Sequence, residues 1–88
     1  MKACNGFILR NLAGEHVLMP VGDNIGVFGG TVLMNELSAF VWKQLQVSVT
    51  REELLTRILN RYDIDEKTAA ADLDSLLAKL KKMGLIEE

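Results

Sequence analysis

The 88-residue chain has one histidine, one cysteine, one proline, one tryptophan and one tyrosine. With His16 as the sole imidazole, any base–nucleophile pair using histidine would depend on it, and it sits in an apolar stretch that marks it as structural. Cys4 alone permits neither an intrachain disulfide nor a cysteine-based zinc site. It lies near a terminus expected to be mobile, whose flanks offer no partner to activate a thiolate. No apolar run approaches the length of a bilayer crossing, and the first residues lack the apolar core of a signal peptide. A cytoplasmic protein without membrane attachment is expected. Basic excess is absent too, because 10 Lys and Arg face 12 Asp and Glu for a net charge of −2. Domains that grip nucleic-acid phosphates usually carry a clear positive balance. The run Gly26-Val27-Phe28-Gly29-Gly30 has neither the ending of a phosphate loop nor the GxGxxG pattern. Asp63, Asp65 and Glu66 lack the ligand spacing of a calcium loop. These absences point away from an enzyme: no catalytic residue, no metal ligand and no cofactor site is expected.

What is present reads as a small folded domain. Hydrophobic residues make up 49% and charged residues 25% of the chain, as in an ordinary globular domain, and the length suits one core. Residues 1–88 are therefore expected to form a single domain. Strand signals fill the first third. Phe7–Leu12, a turn at Ala13-Gly14-Glu15, and residues 16–21 read as a hairpin. Pro20 cannot donate a hydrogen bond, so it belongs near the strand end or at an unpaired position. Residues 22–30 hold four glycines; Asp23 and Asn24 can cap a helical turn there, with Val27 and Phe28 expected to fold back on the core. Thr31, Val32, Leu33 and Met34 follow as a short third strand.

Helix signals fill the rest. Asn35 is a good N-cap, and Leu37, Phe40, Val41 and Leu45 share a face. Thr50 and Glu53 form a capping box ahead of the stripe Leu54, Leu55, Ile58, Leu59 and Tyr62. Asp65 can cap a last helix whose core stripe runs through Ala69, Leu73, Leu76, Leu77, Leu80 and Met83. Acidic residues early in this helix and Lys79, Lys81 and Lys82 late complement its dipole. Gly84 is a candidate C′ residue, with Leu85 and Ile86 as an apolar plug. The implied architecture is α+β, a three-stranded antiparallel sheet followed by three helices.

Such a sheet has two edges, and an edge accepts another extended chain. Thr31, Val32, Leu33 and Met34 carry no charge and no proline to guard against pairing. Ala69, Ala70 and Ala71 thin the first turns of the last helix, which leaves room for alternate side chains of an added strand. Binding, rather than catalysis, is the expected role.

The run Leu33-Met34-Asn35-Glu36-Leu37-Ser38-Ala39-Phe40-Val41-Trp42, with Thr50-Arg51-Glu52-Glu53-Leu54, Tyr62-Asp63-Ile64, Asp72-Leu73 and Gly84-Leu85-Ile86, resembles the PqqD-like family, whose namesake acts in pyrroloquinoline quinone (PQQ) biosynthesis. The resemblance implies a RiPP recognition element: a winged-helix-like domain that captures the leader of a ribosomally made precursor peptide, a chaperone-like escort. It presents that peptide to a modifying enzyme, a radical S-adenosylmethionine protein in the namesake pathway. In the family the leader adds a strand beside the third strand and packs against the third helix. Carried over, the peptide-binding residues are Thr31, Val32, Leu33 and Met34, with Asp72, Leu76, Lys79 and Lys82 as candidates on the helix. Residues 22–30 are longer than the corresponding loop of the namesake, and Val21-Gly22 replaces an acidic residue after Pro20. Peptide recognition in some peptide-modification pathway, PQQ-like or other, is thus the implied role.

Two other readings use the same fold. A winged-helix DNA-binding module would offer Arg, Lys, Asn or Gln to base edges from its recognition helix, whereas Asp65, Glu66, Asp72 and Asp74 dominate here. A structural or regulatory partner that holds an enzyme without touching peptide would use the same apolar surfaces. The oligomeric state is open, since an unguarded edge also invites pairing between copies.

Overall fold

Ala13 and Gly14 join the first hairpin, both at positive φ (54° and 85°). This is the pattern of a type I′ turn, whose twist matches that of the flanking strands. The turn links β2 (Phe7–Leu12) to β3 (Glu15–Pro20), placing Leu12 opposite Glu15 and Phe7 opposite Pro20. It is one residue shorter than expected, because Glu15 already pairs. The Gly14 N–H donates to Asn11 Oδ1 at 3.1 Å. A third strand, β4 (Val32–Met34), pairs antiparallel with β3, so the sheet order is β2-β3-β4. Between β3 and β4 the glycine-rich segment forms a short helix, α1 (Asn24–Phe28). The Asn24 carboxamide anchors it by donating to the carbonyls of Asn5 and Gly6, each at 3.2 Å. The computed structural model describes residues 1–88 except the side chains of Val27 and Phe28. The expected folding-back of those two lies outside the described residues.

α2 (Glu36–Gln44) starts directly after β4. Asn35 caps it, accepting from the Ser38 N–H through Oδ1 at 2.8 Å and from the Ala39 N–H through its carbonyl at 2.9 Å. Ala39, Val41 and Trp42 are buried, and the Trp42 ring meets Phe7 edge to face at 6.5 Å, a favoured aromatic geometry. These elements form the first of two compact units, Cys4–Lys43.

The second unit comprises Met1–Ala3 and Gln44–Glu88. α3 (Arg51–Arg61) opens with the expected capping box: the Glu53 N–H donates to Thr50 Oγ1 at 3.1 Å, and the Thr50 N–H donates to Glu53 Oε1 at 2.9 Å. The Thr50 N–H, and after it the Thr50 hydroxyl, favour the ionised carboxylate and hold Glu53 below the usual carboxylate range. Leu54 and Ile58 are fully buried. α4 (Glu66–Lys82) is capped by Asp65, which accepts from the Thr68 N–H at 3.0 Å and from its hydroxyl at 2.8 Å. Ala69, Leu73, Leu77 and Leu80 form its buried stripe. The helix ends as a Schellman motif. Gly84, at φ 75°, donates to the Lys81 carbonyl at 3.0 Å, and the Leu85 N–H donates to the Leu80 carbonyl at 2.9 Å. Leu85 and Ile86 are buried, as a plug should be. No helix among the described residues is long and apolar enough to cross a membrane.

The sheet followed by three longer helices is the expected α+β order, with one correction at the N-terminus. β1 (Lys2–Ala3) pairs antiparallel with β5 (Ile86–Glu87). The Met1 ammonium donates to the Val49 carbonyl at 2.7 Å. The Val49 N–H returns to the Met1 carbonyl at 2.9 Å, and the Ala3 N–H reaches the Leu45 carbonyl at 2.8 Å. The segment before Cys4 is thus tied by backbone bonds that leave no trace in a hydrophobic pattern.

Candidate functional site

The hairpin turn settles which backbone groups of the sheet stay free. In a two-residue hairpin the flanking residues exchange both backbone hydrogen bonds. Leu12 and Glu15 are that pair, so odd-numbered residues of β3 bond to β2 and even-numbered ones face β4. The far end agrees in phase: the Val21 N–H donates to the Gly6 carbonyl at 2.8 Å. Pro20, facing away from β2 at the end of β3, therefore costs that pairing no donor. Across β3 and β4, His16–Met34 and Leu18–Val32 are the bonded pairs, while Leu33 lies opposite Val17 without exchanging bonds. Leu33 directs its N–H and C=O outward, and Thr31 shares that phase. Among the described residues no hydrogen bond reaches either one on the outer side. Asn35 has the same phase but its carbonyl already serves α2. Within β4 the free margin is thus the N–H and C=O of Leu33; the strand starts at Val32, one residue later than expected, and Thr31 lies just ahead of it.

Side chains along this margin are uncharged. Met34 is buried and Val32 half-buried, whereas Leu33 is 71% exposed and shares the outer sheet face with Leu12, 51% exposed. At the end of β4 a cavity of about 330 Å³ opens between the hairpin turn and the start of α2. Glu15, His16, Leu33, Met34, Asn35 and Glu36 line it. Residue types alone do not reveal this cavity, which follows from the pairing of His16 with Met34 that brings the turn beside the helix cap. His16 is half-buried on this wall. No group of three metal-ligating side chains converges among the described residues.

On α4 the helix period sorts the four candidate residues. At about 100° per residue, Asp72, Leu76 and Lys79 fall on one flank, roughly 85° from the buried stripe. Lys82 does not join them; it points to the side opposite that stripe, and Met83 takes the place in line after Lys79. The other flank is occupied. Arg51 of α3 grips Asp74 through two parallel bonds, Nε to Oδ1 at 2.6 Å and Nη2 to Oδ2 at 3.0 Å, a geometry suited to guanidinium and carboxylate. The pairing holds the Asp74 carboxyl below its ordinary range. Asp72 and Lys79 are exposed, Leu76 and Met83 half-buried. Neither Asp72 nor Lys79 takes part in an ion pair among the described residues.

Comparison with known proteins adds a family. The model of the family described as coenzyme PQQ synthesis protein D (PqqD) matches residues 15–86. The chain belongs to the PqqD family. Two solved structures share the fold. One is TbiB1 in complex with the TbiA(beta) leader peptide, 23% identical with a TM-score of 0.77, covering 99% of this chain and 95% of that one. The other is lasso peptide synthetase B1 complexed with the leader peptide, 16% identical with a TM-score of 0.75, covering 99% and 96%. At these identities the likeness is one of fold. No curated protein matches the sequence. The family match takes in β3, β4 and all of α2, α3 and α4, and so includes each candidate residue.

Proposed function

We propose that residues 1–88 act as one non-catalytic peptide-recognition domain, in the cytoplasm, that captures the leader of a precursor peptide and presents it to a peptide-modifying enzyme. The enzyme is of the radical S-adenosylmethionine class if the pathway follows that of the family's namesake. The observation that carries this reading is the outward N–H and C=O of Leu33, on a strand margin without charge, proline or bulge. An extended peptide adds itself there by strand pairing, using Thr31 and Leu33 for backbone bonds and Val32 and Met34 as the paired scaffold behind them. Asp72, Leu76, Lys79 and Lys82 are candidate contacts on α4, where the family's motif does not fix which side chains meet the peptide; the helix period groups the first three on one flank. Both solved relatives of this fold are leader-peptide complexes, which supports the same class of ligand.

Four backbone bonds at about 0.5–1.5 kcal/mol each and two or three apolar anchors at about 1.5–3 kcal/mol each give a gross gain of order 10 kcal/mol. Ordering and immobilising a flexible peptide removes a large part of it. The result is micromolar affinity, suited to an escort that must also let go.

The test is a chemical-shift map of the ¹⁵N-labelled protein titrated with candidate leader peptides. Perturbations centred on Thr31, Val32, Leu33 and Met34, with a second group on α4, are expected. Shifts centred on β2 instead, or saturable enzyme binding with no response to any leader, would replace peptide capture with a purely structural role.

A further inference from the structure

β4 has one residue whose N–H and C=O both face outward, and that residue, Leu33, is the middle of a three-residue strand. This phase is self-complementary. When two copies of the strand meet antiparallel about a two-fold axis, Leu33 lies opposite its own copy. The two then exchange both backbone bonds, with Cα atoms about 5.5 Å apart. The same register sets Val32 against Met34 and Thr31 against Asn35, so no like charges meet. The first charged residue past the strand, Glu36, already belongs to α2. The side chain gains as well. Leu33 is 71% exposed, and in this register the two leucines stand side by side on the outer sheet face, beside Val17 of each copy. Natural edge strands carry a charge, a proline or a bulge against such pairing, and β4 has none of these.

We infer that β4 pairs with β4 of a second copy across a two-fold axis through Leu33, so that the free protein closes its own strand margin and a leader peptide enters by displacing the second copy. Most homo-oligomers are two-fold dimers in which one patch meets itself, and a strand with its free groups at the midpoint fits that symmetry. Two three-residue strands fall short of the roughly 1,200–2,000 Å² that stable interfaces bury, so the dimer is weak and exchanges freely. That weakness lets a longer peptide, with more residues to anchor, replace it. Self-pairing stands on the geometry of β4 alone. Displacement rests on the peptide-capture reading and adds a regulation to it, since apparent peptide affinity falls as dimer reduces the fraction of open margins.

Sedimentation velocity of the full chain, from micromolar to millimolar concentration, is expected to show monomer growing into dimer, with the Leu33 amide resonance shifting in step. Leu33→Lys and Leu33→Glu each place like charges opposite one another at an exposed position and are expected to weaken the dimer about tenfold. An equimolar mixture of the two variants should recover it, because opposite charges then meet; this recovery requires position 33 to face position 33. Leu12→Lys, on the same sheet face but two strands away, should leave the dimer intact. Circular dichroism checks that each variant is folded. Adding a candidate leader peptide to the unmodified protein should return the dimer to monomer-sized complexes. A monomer at every concentration, or a dimer indifferent to both charged variants, would overturn the self-pairing. A dimer that obeys the charge swap yet persists with leader bound would uphold self-pairing and overturn displacement, and with it the placement of the leader on β4.

Discussion

Replacing Leu33 by proline deletes one amide hydrogen from the outer margin of β4 and leaves the bonds to β3 in place. The ladder between these strands uses Leu18–Val32 and His16–Met34, so the lost donor is one that faces outward. Edge strands accept proline where the N–H points away from the sheet, and the residue before it, Val32, is already extended, as that position requires. The Leu33 side chain is 71% exposed, so its loss costs the fold little. A peptide paired there, however, would be left with a carbonyl lacking its donor, at a cost of about 1–3 kcal/mol. That corresponds to roughly 5- to 150-fold weaker binding. Leu33→Ala removes the same side chain and keeps the amide, so the ratio of the two affinities isolates the backbone bond. Val32→Pro is the contrasting variant, since Val32 bonds to Leu18, and it should lower the unfolding temperature. The assay is anisotropy of a labelled leader peptide, with circular dichroism to confirm that Leu33→Pro is folded. If folded Leu33→Pro binds as tightly as Leu33→Ala, the outward amide plays no part in capture and strand addition at β4 is wrong.

Two further outcomes test the frame that holds this margin. Ala13 occupies a left-handed position at φ 54°, which costs most residues about 1–2 kcal/mol but suits asparagine in an Asn-Gly turn. Ala13→Asn should therefore raise the melting temperature by about 4–8 °C if about 1 kcal/mol is recovered, whereas a fall would contradict the two-residue turn. Glu53, Asp65 and Asp74 are held below ordinary carboxylate values by the capping bonds to Thr50 and Thr68 and by the pairing with Arg51. Depressed carboxyl groups bind protons more readily in the unfolded chain, so the stability they contribute is present near neutral pH and lost as pH falls. Denaturant midpoints should drop between about pH 5 and pH 3, and a flat profile across that window would show that these groups do not contribute.

The sequence carried the helices well because their signals are local. The capping box at Thr50 and Glu53, the Asp65 cap and the Gly84 terminus each depend on neighbours within a few residues, and all three form. The β1–β5 ribbon was hidden, since two-residue strands show no alternation and their partners lie at opposite ends of the chain. The candidate site was half visible. An uncharged third strand is evident from residue types, but the direction of each amide follows from the turn. Had Glu15 belonged to the turn, as the residue types suggested, the phase of β3 would have shifted and Leu33 would have bonded inward. Likewise the helical period of α4 lies in the sequence, whereas the free flank is known only once Arg51 is seen to hold Asp74.

The end of β4 is held by the helix cap that follows it. Met34 closes the strand, Asn35 at once closes the helix, and no residue lies between them to absorb a slip. Sliding by one position would forfeit the cap and turn Met34 out of the interior. β4 is therefore fixed in register, and a peptide strand added there, as proposed, would be the one to search for the matching phase.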